Sequence, residues 1–323
     1  MNKILYILFW SSYEKEIDLT FDKWINRKID ISPFHLLTLA SHIKYKNTTI
    51  LYSYQKFNKN QIPEGIKIKN ANEVFPSKQA FASLINGHSI AHISDAVRLK
   101  VASETLGVVI DMDAVILREL PEDDGWFASM PSKLTGGFAP KWGKAHPPLY
   151  IDDNSWDGKS LAAFPVKVSK NISKHIASLS HRIMRTLMEE PKTDSNAWNY
   201  VIWTIKKLMS IDKSSKVYQS IYFCPLPAWL PKGKCYSLEA PTRLNGETQL
   251  FGNTLPKISD IFEKSFIVQH FFESAFNKSS GVDIDFWENL KDGCLLSKEA
   301  EHIFGKDWRG LLCDKNYEMR LYD

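Results

Sequence analysis

The chain has few of the residues that mark disulfide-stabilised, zinc-binding and membrane-spanning proteins. Four of its 323 residues are cysteine, at positions 224, 235, 294 and 313, and no Cys-x-x-Cys pair occurs. Their spacing fits no zinc template, and thiols in a reducing cytosol explain them. No apolar run reaches the roughly 18 residues that a transmembrane helix needs. The sequence therefore predicts a cytoplasmic globular protein.

The chain also lacks a large excess of either positive or negative charge. The formal net charge is +4, with 41 Lys and Arg against 37 Asp and Glu. This balance permits an acidic small ligand but lacks the dense basic stripe typical of nucleic-acid binding, so no nucleic acid is expected as a partner. Hydrophobic content of 44% and a length of 323 residues suit one large α/β domain.

The first apolar segment, Ile4 to Trp10, is similar in composition to a signal peptide. It is short for that role and no small-residue cleavage site follows, so we expect the first buried strand of a doubly wound sheet. A helix over Pro33 to His42 and a β-branched, aromatic strand over Thr48 to Tyr54 are predicted next. Ligands of such sheets bind at the carboxyl ends of the strands, where Trp10 lies.

The most informative stretch runs from His92 to Leu120. Ser94 is a good helix N-cap, and Asp95 suits the first turn of that helix. An apolar stripe follows at Leu99, Ala102 and Leu106. Gly107 is expected to end the helix. The β-branched run at 108–110 then predicts a strand buried on both faces.

Two carboxylates, Asp111 and Asp113, come directly after that strand. In extended backbone they would point to the same side, where they would repel each other and lose hydration. A hard divalent cation relieves both problems, and Mn²⁺ or Mg²⁺ binds a few carboxylates together with water and phosphate oxygens. The pair therefore predicts a metal that holds a diphosphate. Upstream, Asp95 and Arg98 share a helix face suited to a hydroxyl-rich ligand.

This composite pattern resembles the sugar-binding region of the Asp-x-Asp glycosyltransferases of family 32, which include α-1,4-galactosyltransferases and yeast-type mannosyltransferases, with the clostridial toxin glucosyltransferases as cousins. The matching residues are Ser94, Asp95, Arg98, Gly107, Asp111 and Asp113. The chain departs from the family at Leu106, where a first Gly is usual, and at Val109, where a strand Tyr is usual. A later segment, predicted as an apolar strand, also resembles the Phe-Tyr-Pro segment of the family; its sequence is VYQSIYFCPLPAWLP.

The resemblance implies a GT-A-type fold, in which a Rossmann-like central sheet is flanked by helices. Within one domain, 1–323, it implies a nucleotide-sugar-binding half (1–120), an acceptor half (121–280) and a helical C-terminal appendage (281–323), in which we identify no chemistry. The implied activity is retaining transfer of a hexose from a nucleoside diphosphate sugar, here UDP-sugar, to a glycan or lipid-linked acceptor in bacterial surface polysaccharide synthesis.

The resemblance also implies the residues of the site. The expected catalytic residues are Asp95, Arg98 and Asp111. The expected substrate-binding residues are Trp10, stacked on the base, with Ser94, Asp95, Arg98, Asp111 and Asn196. The expected ligands of Mn²⁺ or Mg²⁺ are Asp111, Asp113 and His270. His270 comes from the apolar segment SFIVQHFFESAFN, so a histidine satisfied within the core is the alternative interpretation of that residue.

Two further segments bear on the acceptor. The Gly-, Pro- and Trp-rich stretch from Gly136 to Pro165 predicts a long loop on the acceptor side. An amphipathic helix is predicted over Asn171 to Met188, with four basic residues off its apolar stripe. This basic face could contact an anionic membrane peripherally, or it could simply be exposed to solvent.

Two other functions fit the same residues. VVIDMDAVIL is similar to the first motif of haloacid-dehalogenase-type phosphatases, with Asp111 as nucleophile and Tyr150 to Asn154 as a late acidic motif. Ala114 stands where that motif has Gly, and the motif normally opens the domain. A non-catalytic sugar-nucleotide-binding protein would use the same ligands without an acceptor site.

Overall fold

The strands and helices are defined by a computed structural model. It describes residues 4–13, 18–58, 62–129, 161–189, 204, 207–208, 212, 214–218, 220–225, 249–250, 253–254, 258–270, 284–290 and 292–313. The strands are β1 Leu5–Phe9, β2 Lys28–Ile29, β3 Thr48–Ser53, β4 Lys56–Phe57, β5 Ile66–Asn70, β6 Val108–Val109, β7 Ala114–Ile116, β8 Trp126–Ser129, β9 Leu161–Lys167, β10 Lys216–Tyr218, β11 Gln249–Leu250, β12 Asn253–Thr254 and β13 Ile267–Gln269.

The helices alternate with the strands through the first half of the chain and cluster at its end. They are α1 Phe21–Asn26, α2 Pro33–Lys44, α3 Ser77–Ile85, α4 Ile90–Thr105, α5 Ser173–Glu189, α6 Ser220–Phe223, α7 Ile258–Lys264, α8 Ile284–Glu288, α9 Leu295–Phe304 and α10 Trp308–Cys313.

One seven-stranded sheet organises the protein, in the order β10-β8-β9-β6-β1-β3-β5. The strands β6, β1, β3 and β5 are mutually parallel, β8 and β10 are parallel, and β9 is antiparallel to both of its neighbours. The central strand β1 is almost entirely buried because helices cover both faces of the sheet. The fold class predicted from the sequence, α/β with a Rossmann-like central sheet flanked by helices, is confirmed.

The helix before the Asp-x-Asp motif differs from its prediction at both ends. It begins five residues earlier, with Ser89 as the N-cap accepting from the backbone of Ala91, so Ser94 lies inside the helix. It ends at Leu106, which is 39% exposed and takes a left-handed conformation, φ 55°, instead of continuing the core stripe. Gly107 is needed for close packing, since a Cβ there would lie 2.8 Å from Ile7 Cδ1.

Two other predicted elements are changed by tertiary pairing. Among its described residues, the apolar segment that begins at Val217 forms the end of the short strand β10 and then the helix α6, which contacts β8 and β13. The predicted acceptor loop ends early, because 161–165 belongs to β9 in the central sheet. The rest of that loop, 136–160, lies outside the described residues.

The C-terminal helices form a second apolar core with α2 and β7. Its members include Phe34, Val115, Trp287, Leu296 and Ile303, all buried. Residues 284–288, 295–304 and 308–313 form α8 to α10, which pack against α2 and against β7, the strand that follows the Asp-x-Asp turn. Within the described ranges, no helix combines the length and apolar character needed to cross a bilayer.

Candidate functional site

The site lies at the carboxyl ends of the central parallel strands. Trp10 follows β1 and donates its backbone N–H to Tyr52 of β3. Ile110 follows β6 and donates to Ile7 of β1, which brings Asp111 to the same edge. This is the edge at which ligands of open α/β sheets bind, as the sequence predicted.

Arg98 is the centre of the cluster. From α4, its Nη1 donates to Asp111 Oδ1 at 2.5 Å and to the carbonyl of Ile110 at 2.7 Å, while its Nη2 donates to Asp95 Oδ1 at 3.0 Å. The guanidinium carbon lies 4.6 Å from the centre of the Phe164 ring in β9. One planar side chain thus joins the helix to the end of the strand, an arrangement that arginine allows and lysine does not.

Burial divides these charged groups into an inner pair and an outer pair. The side chains of Asp95 and Arg98 are only 2% and 4% exposed, whereas that of Asp111 is 29% exposed, and Asp113 is half-buried. Burial raises the pKa of Asp95 to about 7, against the lowering influence of Arg98. Burial alone would lower the pKa of Arg98, but the Asp111 and Asp95 carboxylates raise it, so the guanidinium stays charged. Asp95 Oδ2 is buried and has no hydrogen-bond partner.

The two carboxylates of the Asp-x-Asp motif converge, although not by the predicted route. Residues 112–113 form a turn instead of extended strand. The carboxylates are brought together by Gln269 at the end of β13, whose Nε2 donates to Asp113 Oδ1 and, at 3.3 Å, to Asp111 Oδ2. The NH₂ end of the amide, whose hydrogens carry partial positive charge, lies between the two acids.

His270 is not turned towards that acidic pair. Its Nε2 donates to both carboxylate oxygens of Glu299 in α9, at 2.9 and 3.1 Å, and both side chains are buried. Its backbone N–H donates to the carbonyl of Asp113 at 2.9 Å. The structure therefore brings together Asp111 and Asp113 but not the imidazole predicted as their third ligand. Burial raises the pKa of Glu299, while His270 acts in the opposite direction.

Trp10 lies where a stacking aromatic was predicted. Its ring packs on His35, the third residue of α2, with 3.9 Å between the centroids. The indole Nε1 is buried without a hydrogen-bond partner. Burial lowers the pKa of His35 to about 3, so the imidazole beneath Trp10 is neutral.

The sequence analysis missed some residues of the site, and some of its predictions concern residues that the structure does not describe. Gln269 and Glu299 carry contacts that the sequence analysis did not assign; Gln269 adjoins His270 in a segment already singled out, while nothing local marks Glu299. The buried thiol of Cys224 lies close enough to the two acids for their charges to raise its pKa, after burial itself. Asn196 and the segment Tyr150 to Asn154 lie outside the described residues.

The donor set around the turn is small. In the portion of the chain that the structure describes, no group of three or more His, Cys, Asp or Glu side chains is arranged to hold a metal ion. Two converging carboxylates leave most coordination positions to water and phosphate oxygens, which is the arrangement that Mg²⁺ and Mn²⁺ accept with nucleotide ligands. Asp111 and Asp113 therefore fit a metal that arrives with its substrate.

The fold and the cluster together define an α/β protein with an arginine-linked acidic site at the edge of a mostly parallel sheet. No protein-family description matches the chain, and no curated protein matches it. Among solved structures, the chain is similar to one described as "PaToxG Glycosyltransferase", with a TM-score of 0.34 and 12% identity. That similarity covers 64% of this chain and 70% of the other.

Proposed function

We propose that the protein is a metal-dependent, retaining glycosyltransferase. It would move a hexose from a UDP-sugar to a hydroxyl of a glycan or a lipid-linked sugar, in bacterial surface polysaccharide synthesis. One observation carries this proposal: Arg98 joins Asp95 to Asp111, and Gln269 joins Asp111 to Asp113, at the carboxyl edge of the sheet. The four residues from the Ser-Asp-x-x-Arg and Asp-x-Asp motifs thus form one continuous cluster.

Asp111 and Asp113 are the residues that would hold Mn²⁺ or Mg²⁺. Both are partly exposed, both face one amide group, and neither lies in the apolar core. When bound, the ion would offset the negative charge that develops on the diphosphate leaving group. His270 is left out of this ligand set, because its Nε2 is engaged by Glu299.

Asp95 and Arg98 would orient the donor sugar. The unpartnered Oδ2 of Asp95 is a buried acceptor available to a sugar hydroxyl, which would remove the free-energy penalty of leaving it unpaired. Arg98 keeps Asp95 and Asp111 at a fixed separation, so that a hydroxyl bound to the first is positioned relative to a phosphate bound near the second. Trp10, at the end of β1, offers an aromatic face and an indole N–H to the base.

The phosphatase alternative receives no support from this geometry. Both oxygens of Asp111 accept hydrogen bonds, Oδ1 from Arg98 and Oδ2 from Gln269. These contacts tie Asp111 to Asp95 and Asp113 in one acidic cluster, which is the arrangement that the glycosyltransferase proposal uses.

Incubation with a panel of nucleotide sugars and Mn²⁺, scored for diphosphate release, tests the proposal. We expect slow release of free sugar from a UDP-sugar, and its loss by about 100-fold or more in Asp111→Asn and Asp113→Asn, with unchanged circular dichroism. Hydrolysis of simple phosphomonoesters would instead identify a phosphatase. Binding of UDP and Mn²⁺ without turnover of any donor would identify a sugar-nucleotide-binding protein.

A further inference from the structure

The C-terminal helix α9 reaches the acidic cluster through a buried contact that the proposed chemistry does not use. Glu299 is fully buried, and its carboxylate accepts from His270 Nε2 at 2.9 and 3.1 Å. On another side, the imidazole meets the ring of Phe34 edge-on, with 5.2 Å between centroids. His270 is therefore fixed by α9 and by α2, both of which lie outside the central sheet.

His270 in turn holds the backbone of the Asp-x-Asp turn. Its N–H donates to the carbonyl of Asp113, while the preceding residue, Gln269, donates to the carboxylates of Asp113 and Asp111. Two successive residues thus fix the main chain and the side chains of one turn. The ladder between β13 and β7 is only three residue pairs long. Because so short a ladder opens readily at its ends, a restraint on His270 is a restraint on the turn.

The polar character of the His270–Glu299 pair calls for an explanation beyond packing. Removing a carboxylate from water carries a large penalty, and an apolar pair of similar volume would stabilise the core at least as well. The polar pair fixes the orientation of His270, because the hydrogen bonds to both Glu299 oxygens set the plane of the imidazole ring. This orientation is important because the backbone N–H of His270 donates to the carbonyl of Asp113.

We propose that Glu299 is a positioning residue for the Asp-x-Asp turn. By orienting His270, it keeps Asp111 and Asp113 at the spacing at which they share one cation. This inference rests on the proposed function for the identity of the cation, whereas the restraint on the turn does not depend on it.

The test compares Glu299→Leu with Leu296→Ala in the full chain. The first keeps the side-chain volume and removes both acceptors, and the second weakens the packing of the same helix from its apolar side. We expect Glu299→Leu to weaken Mn²⁺ binding in the presence of UDP, measured by calorimetry, by about 10-fold or more, and to speed hydrogen exchange of the His270 amide. Leu296→Ala should lower Tm and leave Mn²⁺ affinity and this exchange rate unchanged. Glu299→Gln, which keeps one acceptor oxygen, should fall between Glu299→Leu and the wild type, and it carries the test if Glu299→Leu does not fold.

Three outcomes separate the possibilities. Unchanged Mn²⁺ affinity and exchange in the folded Glu299 variants overturn the positioning role. Equal acceleration of exchange in Leu296→Ala also overturns it, because the effect would then be a general loosening of α9. A wild-type chain that binds no Mn²⁺ even in the presence of UDP defeats the proposed function, but faster exchange confined to the Glu299 variants still supports the positioning role.

Discussion

Arg98 and Asp111 meet across the boundary between α4 and the end of β6, with 2.5 Å between Nη1 and Oδ1. They are 13 residues apart in the chain, and the contact exists only because α4 packs back against the sheet. The buried guanidinium is thereby matched by two carboxylates and by the carbonyls of Ile110 and Ser94. This relationship makes the cluster a structural element of the protein as well as a candidate site, and the first prediction tests it.

Arg98→Lys should destabilise the protein. The lysine ammonium donates from a single point and lacks the fork that reaches Asp95, Asp111 and two carbonyls, so buried acceptors lose partners and the free energy of unfolding should fall by about 2 kcal/mol. Urea denaturation measures this. The matched control is Lys100→Ala on the same helix, where the ion pair with Glu104 is exposed, and the change should stay within about 0.5 kcal/mol. Equal stability of Arg98→Lys and the wild type would contradict the role given to the guanidinium.

Gln269→Leu should increase the thermal stabilisation that Mn²⁺ gives the protein. Without the amide between them, Asp111 and Asp113 repel each other in the metal-free protein, so its Tm should fall. The rise in Tm on adding Mn²⁺ should exceed that of the wild type, because the amide no longer competes with the cation. Ser180→Ala, which removes a buried hydrogen bond to Ala96 on the far side of α4, should lower Tm without changing the Mn²⁺ increment. A smaller increment in Gln269→Leu would show that the amide does not occupy the cation position.

The pKa of Asp95 gives stability a defined pH dependence. Burial raises this pKa from 3.8 to about 7, so the folded state binds a proton that the unfolded state releases. The corresponding stabilisation is complete below pH 3.8 and is lost as the pH rises through about 7. Asp95→Asn lacks this titration, and its free energy of unfolding should fall less between about pH 4.5 and about pH 7.5. Parallel curves for the two proteins would place the Asp95 pKa near its ordinary value.

Gly107→Ala should destabilise the junction between α4 and β6. A Cβ at this position would lie 2.8 Å from Ile7 Cδ1 and 2.9 Å from the carbonyl oxygen of Leu5, and the backbone oxygen cannot easily move. We expect a loss of about 1–3 kcal/mol on thermal or urea unfolding. Gly310→Ala is the control, since nothing lies within 4 Å of the added carbon, and alanine in that helix should be neutral or stabilising. The same small effect at both positions would argue against the close packing.

The segments near the amino end could be predicted from the sequence because their signals are local. A continuous apolar run, a Pro in a first helical turn and a β-branched, aromatic run predicted β1, α2 and β3 within a few residues. The apolar stripe of α5 is also confirmed, with Ile172, Ile176, Leu179, Ile183 and Leu187 all buried. These patterns depend on helix and strand periodicity alone.

The errors arose where a distant contact overrode a local preference. Ser89 caps α4 in place of Ser94 because the buried face of the helix begins at Ile93, six residues before the stripe that was identified. The segment after Val217 is rich in strand-forming residues, yet it turns into a helix where it meets β8 and β13. His270 was assigned to the metal by its sequence neighbourhood, whereas its partner lies 29 residues further along the chain.

Sequence by itself determined the α/β class, the order of the first elements and the chemistry of the acidic and basic residues in the cluster. These features follow from periodicity and from the side chains present, which do not depend on what lies across the molecule. Tertiary structure alone decided that Arg98 joins Asp95 to Asp111, that Gln269 stands between the two outer acids, and that Glu299 holds His270. Each of these contacts pairs residues from different elements, and a buried polar group selects its partner by proximity in the folded state.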